Sequence, residues 1–307
     1  MLHVTNGTSV SLPAPGIAGD VLAWLDVLHE GPVPGGLDAA GLRRVRGLFL
    51  DAELPASTPA ELELARRDAV LDSYDEITLW FEHDLYDQLQ LIQILDWLSR
   101  RDPGGAGLSL IGAAVYLGTL RPGELLALYS MRQPVTGEQL ALAERAWAAF
   151  SASDPRPLAQ LIREDTSALP YLHGALLRHL EQFPSVRDGL SRSERQILEA
   201  VAAGASRAAE VFVADRAREE RIFMGDTMLF ACIRRLASGA APLLEIIEPL
   251  GPFGRSKVAL TPAGSAALRG EADAVRLNGI DRWLGGVHLR EGQVWRWRAE
   301  DQALVAG

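Results

Sequence analysis

The fold class is decided by one stretch of the sequence, residues 77–87, which reads Ile77-Thr78-Leu79-Trp80-Phe81-Glu82-His83-Asp84-Leu85-Tyr86-Asp87. Its first five residues are β-branched, apolar or aromatic, and they predict a buried strand. Two acids and a histidine follow at once, and another acid comes three residues later. Open α/β sheets bind ligands where their strands release the chain into loops. We therefore expect a binding or catalytic site directly after this strand.

The first 136 residues alternate between strand and helix patterns. Strands are predicted at residues 2–5, 21–24, 77–81 and 108–111. Helical sequence is predicted over 38–72 and 85–98, the second helix ending at Asp102-Pro103-Gly104-Gly105. The packing face of the first helical segment is predicted to include Leu42, Val45, Leu48 and Phe49. Strands alternating with helices predict a doubly wound, Rossmann-like and mostly parallel sheet.

The remaining sequence changes character. Three helices are predicted at residues 138–150, 157–163 and 168–183, and they form a helical connector. Ser191 and Glu194 then form a capping-box pattern at the start of a helix that runs to Gly204. Helices at 206–222 and 225–238 follow, and then two strands at 243–247 and 258–261. Three helices followed by a hairpin is winged-helix order, so the predicted domains are 1–136, an α/β domain, 137–189, the connector, and 190–307, a winged-helix-like α+β domain.

Composition limits the classes of partner. The chain has 307 residues, 48% of them hydrophobic, and a net charge of −10. Residues 1–150 hold 20 acidic and 10 basic side chains, so the N-terminal half carries the acidity and disfavours a phosphate backbone. The start has no basic segment followed by an apolar run, and no stretch approaches about 18 apolar residues, so we expect a cytoplasmic protein without a membrane partner. The single cysteine, Cys232, excludes an internal disulfide and is expected to be buried.

A parallel sheet would bring three loops together at one edge. The catalytic candidates in these loops are His83, Glu82, Asp84, His29 and Glu30, and the ligand-binding candidates are Asn6, Thr8, Asp26 and Asp87. A histidine beside a carboxylate is the usual proton-transfer pair. The same residue types bind divalent metals, with His29, His83 and Asp84 as the candidate ligands. A structural role is the third interpretation, because these acids also suit the positive N-terminus of the following helix.

The absence of standard motifs narrows the reaction class. The chain has no Walker glycine-lysine pattern, dinucleotide glycine fingerprint, zincin helix or Gly-x-Ser-x-Gly elbow. The leading hypothesis is an enzyme of the hydrolase or transferase class that acts on a small polar or phosphorylated ligand by acid–base or metal-assisted chemistry. Whether a divalent metal is the cofactor is left open. The alternative is a transcriptional regulator or protein-docking module whose N-terminal domain senses a ligand.

The C-terminal domain has few residues suited to reading DNA. Its third helix is largely apolar, and the candidates for phosphate contacts are Arg234, Arg235, Arg255 and Lys257. Sequence-specific readers need Arg, Asn or Gln at base edges. Protein docking is therefore favoured over nucleic-acid binding, and oligomerisation is left open. Trp295-Arg296-Trp297-Arg298 alternates as an amphipathic strand does.

Three motifs give the chain a resemblance to a known family. They are Leu2-His3-Val4-Thr5-Asn6-Gly7, Trp24 with Asp26-Val27-Leu28-His29-Glu30-Gly31-Pro32-Val33-Pro34, and Leu79-Trp80-Phe81-Glu82-His83-Asp84-Leu85-Tyr86-Asp87-Gln88-Leu89-Gln90. The chain resembles a bacterial family named domain of unknown function 1835, and its later segments 146–150 and 189–195 are similar to those of longer members. The family has an acidic residue after Asn-Gly where this chain has Thr8, which argues against a carboxylate role there. The resemblance implies a domain but no reaction.

Overall fold

The computed structural model describes residues 1–100, 107–248 and 251–307. The chain divides into two compact units, one of Met1–Leu176 with Gly285–Val287 and one of Leu177–Leu284 with His288–Gly307. The predicted connector, residues 137–189, is split between these units. The predicted turn at Asp102-Pro103-Gly104-Gly105 lies outside the described residues. Among the described helices, none has the length and apolar character needed to cross a membrane.

The strands and helices alternate through the first unit and change order in the second. The strands are β1 (Leu2–Thr5), β2 (Asp20–Ala23), β3 (Gly31–Pro32), β4 (Glu76–Phe81), β5 (Gly107–Gly112), β6 (Gln133–Pro134), β7 (Leu244–Glu248), β8 (Lys257–Leu260), β9 (Arg282–Gly285), β10 (Val287–Leu289), β11 (Trp295–Arg298) and β12 (Ala303–Ala306). The helices are α1 (Ala39–Glu53), α2 (Ala60–Leu71), α3 (Leu85–Ser99), α4 (Pro122–Ser130), α5 (Gly137–Ser151), α6 (Arg156–Leu161), α7 (Leu172–Leu180), α8 (Arg192–Ala202), α9 (Ala208–Arg216), α10 (Asp226–Leu236), α11 (Pro262–Arg269) and α12 (Ala274–Asn278).

The central sheet of the first unit is mixed and mainly parallel. Its strand order is β2-β1-β4-β5-β6, in which the first three pairs are parallel and β6 runs antiparallel to β5. Thr5 of β1 lies opposite Trp80 of β4, and Phe81 lies opposite Gly112 of β5. The carboxyl ends of the parallel strands therefore lie at the same edge of the sheet. The predicted α/β class with a parallel-rich sheet is confirmed.

Three predicted helices are shorter than expected, and proline explains two of them. The segment 38–72 forms two helices, α1 and α2, because Pro55 and Pro59 interrupt it. The helix predicted at 168–183 begins only at Leu172, because Pro170 disfavours helical geometry in the residue before it. The helix predicted at 206–222 ends at Arg216. Just beyond that end, the carboxylate of Glu219 is buried and accepts hydrogen bonds from Arg178.

The face of α1 differs from the apolar face that the sequence predicts. Leu48 is 71% exposed, whereas Arg46 is completely buried. Arg46 lies four residues from both Leu42 and Leu50, so all three occupy one side of the helix. The expectation for Leu48 was wrong because a buried ion pair, and not apolar side chains alone, fills this part of the helix interface.

The sheet interior contains a hydrogen-bonded histidine. His3 is fully buried in β1, and the indole N–H of Trp80 donates to its Nδ1 at 3.2 Å. Its Nε2 lies 3.3 Å from the carbonyl oxygen of Ala18. Because Nδ1 accepts, Nε2 carries the proton and donates it, which fixes the neutral tautomer. His3 therefore has a structural role in the interior of the sheet.

We predict that His3 makes stability depend on pH. Burial lowers the pKa of His3 below its usual value of 6.5, so the unfolded chain binds the proton more readily than the folded one. Stability is then fully present above pH 6.5 and falls as the pH drops through the lowered pKa, by about 1.4 kcal/mol for each unit of pKa difference. Urea unfolding of His3→Gln at pH 7 and pH 5 should show a smaller loss on acidification than the native chain. The exposed His173→Gln serves as the control, and an unchanged pH slope in His3→Gln would contradict the prediction.

The second unit contains the predicted run of three helices followed by a hairpin. α8, α9 and α10 come before β7 and β8, which pair antiparallel. The capping box of α8 is present, since Ser191 accepts from Glu194 N–H and Glu194 accepts from Ser191 N–H. Cys232 is buried in α10, as expected. The predicted strand at residues 295–298 is β11, and it pairs antiparallel with β12.

Candidate functional site

The candidate site lies at the carboxyl ends of β1, β4 and β5. Asn6 follows β1 directly, Glu82 follows β4, and Tyr116 and Leu117 come four and five residues after the end of β5. The parallel register of these strands brings the three segments to one edge of the sheet. The first turn of α3 begins at this edge and adds Asp87.

Asp87 is the centre of this arrangement. Its side chain is completely buried. One carboxyl oxygen accepts the backbone N–H of Glu82 at 2.6 Å, and the other accepts the side-chain amide N–H of Asn6 at 2.6 Å. The remaining amide atom of Asn6, Oδ1, is buried and has no hydrogen-bond partner among the described residues. Asp87 thus joins the ends of β1 and β4 through one side chain.

Two further carboxyl groups lie beside Asp87. Asp84 is the N-cap of α3 and accepts the Asp87 N–H at 3.1 Å, which confirms the capping role considered from the sequence. Glu82 accepts the Leu117 N–H at 2.7 Å, so it links β4 to the segment after β5. Both side chains are at least 96% buried. Each acid therefore satisfies a backbone donor as well as contributing charge.

The electrostatics of the three acids are unfavourable for full ionisation. Burial is the main factor that raises the pKa of Asp87 well above its usual value of 3.8, and the charges of Asp84 and Glu82 raise it further. The Glu82 N–H and the Asn6 amide act in the opposite direction. Burial also raises the pKa of Glu82, against the hydrogen bond from Leu117. The cluster therefore favours a bound proton or a bound cation.

The same three acids form a potential metal site. Glu82, Asp84 and Asp87 each offer a carboxylate oxygen, and these oxygens lie within 4.8 Å of one another. Of the three metal ligands predicted from the sequence, His29, His83 and Asp84, this group of described residues includes only Asp84. An all-oxygen set suits Mg²⁺, Mn²⁺ or Ca²⁺ better than zinc.

The two predicted histidines lie in aromatic surroundings. The ring of His83 is 5.1 Å from that of Tyr116 and 6.0 Å from that of Tyr171, measured between centroids. His83 and both tyrosines are partly exposed. His29 is buried, and its ring lies 5.9 Å from that of Tyr86 in the first turn of α3. His83, between Glu82 and Asp84 in the sequence, is therefore accessible to a ligand. His29 is buried against α3, and its catalytic and metal-binding roles stay predictions.

Asp26 has a structural environment that the sequence did not indicate. Its carboxylate is bound by Arg46 at 2.6 Å, and both side chains are buried. Arg46 also donates to the carbonyl oxygens of Val27, Glu30 and Pro32. The Asp26 carbonyl accepts the Gln90 side-chain amide. Arg46 therefore holds this loop in place. The ligand-binding role predicted for Asp26 and the catalytic role predicted for Glu30 stay predictions.

Thr8 is exposed in the segment after β1. The turn after β1 is closed by Thr5 and not by Thr8. The hydroxyl of Thr5 donates to the carbonyl oxygen of Gly7 at 2.8 Å. The ligand contact proposed for Thr8 stays a prediction.

Sequence reasoning missed the residues that join distant segments. Leu117 and Tyr116 come from a segment without a distinctive motif, so their approach to Glu82 and His83 requires the folded sheet. Gln88 donates to the Glu82 carbonyl at 2.7 Å, and a signal for it was available. Polar Gln88, Gln90 and Gln93 interrupt an otherwise apolar helix, which is typical of buried hydrogen-bonding positions.

Comparisons with known proteins give little further information. No protein-family model matches the sequence, and no curated protein matches it. A solved structure titled "Structure of the Aeropyrum pernix ORC1 protein in complex with DNA" is 13% identical over 78% of this chain and 77% of that chain, with a TM-score of 0.23. A TM-score of that size does not indicate a common fold. The resemblance to domain of unknown function 1835 stays a prediction.

Proposed function

We propose that the N-terminal unit is an enzyme domain that binds a small polar ligand at the carboxyl edge of its sheet and exchanges protons with it. The observation that carries this proposal is the buried group of Glu82, Asp84 and Asp87, held together with Asn6 at the ends of β1 and β4. Buried carboxyl groups that crowd one another are a common arrangement of catalytic acids and bases.

The proposed chemistry follows from the charge of the cluster. Three buried carboxylates repel one another, so the group that is hardest to ionise keeps its proton to a higher pH. Asp87 is that group, since it is completely buried and faces both other acids. A carboxylic acid whose pKa is raised by its surroundings keeps its proton to a higher pH and can donate it to a leaving group. Hydrolysis and group transfer are the reaction classes that use such a donor.

The proposed ligand meets the protein at His83. This side chain lies between Glu82 and Asp84 in the sequence, and its ring is partly exposed beside Tyr116 and Tyr171. The imidazole and the two phenol groups offer hydrogen bonds to hydroxyl or amino groups. A phosphorylated ligand is less well matched, because the acids would repel it unless a cation were bound.

A divalent cation at the cluster is the second candidate. Opposite ligands lie about 4.2 Å apart around Mg²⁺ and about 4.6–5.2 Å apart around Ca²⁺. The carboxylate oxygens all lie within 4.8 Å of one another, which is close enough for one divalent cation to contact all three acids. A bound cation would keep all three acids ionised and would permit a phosphorylated ligand.

Carboxyl NMR distinguishes the proton from the cation. In protein with ¹³C-labelled aspartate and glutamate, we expect the Asp87 carboxyl carbon to titrate at a higher pH than the exposed acids do, because burial and its neighbours raise its pKa. Metal analysis of protein purified without chelator is expected to show no stoichiometric metal. A titration of Asp87 in the ordinary range, with no metal bound, would contradict the proton-exchange proposal.

Mn²⁺ provides the matched test for the cation. If the cluster binds a cation, Mn²⁺ should broaden the resonances of Glu82, Asp84 and Asp87 in the native chain and not in Asp84→Asn. The exposed Asp75→Asn is the control for loss of one acid. Specific broadening would establish the second candidate in place of the first.

For residues 190–307 we propose a winged-helix-like fold that docks another protein, and for the first unit a doubly wound, Rossmann-like topology. The order of α8, α9, α10, β7 and β8 supports the first assignment. Most apolar side chains of α10 are buried, and the guanidinium of Arg234 lies 4.0 Å above the ring of Phe253. DNA binding through Arg234, Arg235, Arg255 and Lys257 is the alternative, and it would weaken steeply as salt is added.

A further inference from the structure

A cavity lies in the first unit, apart from the cluster of Glu82, Asp84 and Asp87. It has a volume of about 310 Å³ and lies among α1, α2, the later turns of α3, and Trp147 of α5. This volume is at the lower end of the range for small-molecule sites. Arg67 of α2 lines the cavity and carries the observation from which the inference starts.

Arg67 is a buried cation with an unused donor. Its side chain is 91% buried, and its guanidinium lies 3.6 Å above the ring of Trp24. Nε and Nη2 both donate to the same oxygen of Asp68, at 3.0 and 2.8 Å. Nη1 is buried and has no hydrogen-bond partner among the described residues. Buried charged donors are almost always satisfied, so this N–H group requires an acceptor.

The charge around Arg67 does not balance. Asp68 also accepts a hydrogen bond from Arg43 on its second oxygen, at 3.0 Å. Two guanidinium groups therefore share one carboxylate, which leaves one positive charge. Asp26 and Asp96, the other buried acids of the cavity, have their own partners in Arg46 and Arg100.

The remaining acid of the cavity, Asp38, is exposed. It is the N-cap of α1 and accepts the N–H of Gly41 at 2.7 Å. Its carboxylate therefore interacts with the positive end of α1, and solvent screens its charge. The four arginines and four aspartates that line the cavity balance in formal charge. An anion is favoured locally, where Arg67 and Arg43 share the carboxylate of Asp68 and Nη1 of Arg67 has no acceptor among the described residues.

The walls of the cavity indicate the rest of the ligand. Trp97 and Trp147 line it together with Leu42 and Leu64, so its body is apolar and partly aromatic. Planar guanidinium groups match carboxylates and phosphates, but the aspartates that also line the cavity disfavour a doubly charged phosphate. We propose that this cavity binds a small monocarboxylate with a flat apolar body, whose carboxylate accepts from Nη1 of Arg67 and from Arg43.

Benzoate is the probe that tests this site, with benzamide and benzamidinium as neutral and cationic analogues of the same shape. Calorimetric titration of the full chain is expected to show benzoate binding and at least tenfold weaker binding of both analogues. Arg67→Met should bind benzoate about 10- to 100-fold more weakly, which is the usual loss of a hydrogen bond to a charged group. Arg66→Met is the matched control, because Arg66 is the preceding residue of α2, is 68% exposed and pairs with Glu63.

NMR of the native chain gives a test that does not depend on a variant. Benzoate should shift the Nε–H resonance of Arg67 and the indole N–H resonances of Trp97 and Trp147, and it should leave that of Trp283 in the second unit unchanged. Equal binding of benzoate and benzamide would overturn the proposal, as would unchanged affinity in Arg67→Met. Equal affinity for inorganic phosphate would overturn the assignment to a carboxylate.

Discussion

Replacing Arg46 by methionine is expected to lower the free energy of unfolding by about 3–5 kcal/mol, the usual cost of breaking a buried ion pair from one side. The guanidinium is completely buried, and it binds the Asp26 carboxylate through Nε and Nη2. It also serves three carbonyl groups of the loop at residues 27–32. In the methionine variant, the Asp26 carboxylate and these three carbonyl groups stay buried but lose the guanidinium that donates to them. Denaturant unfolding at neutral pH measures the loss.

Two variants make the Arg46 experiment specific. Arg44→Met removes an exposed arginine two residues earlier in α1 and should leave stability within error of the native chain. The double variant Asp26→Asn with Arg46→Met should be more stable than Arg46→Met alone, because no charge is left buried without a partner. An Arg46→Met protein as stable as Arg44→Met would show that the pair does not hold the loop.

Replacing Asp87 by alanine and by asparagine should have very different effects on stability. Alanine leaves the Glu82 N–H and the Asn6 amide without an acceptor, at a cost of about 1–3 kcal/mol for each buried donor. Asparagine keeps one acceptor for the Glu82 N–H. Its new amide N–H group can donate to Asn6 Oδ1 once the Asn6 amide turns over, and that oxygen has no partner among the described residues of the native protein.

The pH dependence of Asp87→Asn follows from the raised pKa. The folded chain binds the Asp87 proton more tightly than the unfolded chain, whose pKa is near 3.8. Native stability therefore falls as the pH rises from about 4 through the raised pKa, whereas the asparagine variant has no such loss. Its stability relative to the native chain should increase from pH 4 to pH 7. An Asp87→Asn protein that is as unstable as Asp87→Ala at pH 7 would indicate an ionised Asp87, as a bound cation requires.

The enzymatic activity of Asp87→Asn should be much lower than that of its control variant. If Asp87 donates a proton in the reaction, asparagine lowers kcat by about 10²- to 10⁴-fold, which is the usual contribution of general acid catalysis. The exposed Asp75→Asn, at the residue before β4, should keep full activity. A screen of chromogenic esters, glycosides and phosphates provides the assay. Equal activity in the two variants would remove Asp87 from the mechanism.

The sequence was sufficient to predict which edge of the sheet carries the site and some of the contacts within that site. An apolar strand followed by acids has few structural interpretations, and the parallel sheet and the cap at Asp84 followed from it. The approach of Asn6 to Asp87 could also be anticipated, since both follow adjacent strands. These features depend on local pattern and on strand order, which the sequence contains.

The ion pair of Arg46 and the approach of Leu117 to Glu82 could not be predicted in the same way. An arginine on a surface helix is usually exposed, and only its position between Leu42 and Leu50 indicates otherwise. Leu117 contributes a backbone N–H, which has no sequence signal, and it is 35 residues away from Glu82. Such contacts become visible only when the folded chain brings the segments together.

The short edge strand β6 limits how the central sheet can pair with a second chain. β6 is only two residues long, Gln133 and Pro134, and it ends the central sheet next to β5. Proline has no N–H to offer to a further strand, and so short a strand is a poor template for intermolecular pairing. Growth of the sheet by addition of a second chain is therefore blocked at this margin. Growth of this sheet by a further strand is therefore expected at β2, the longer strand at its opposite edge.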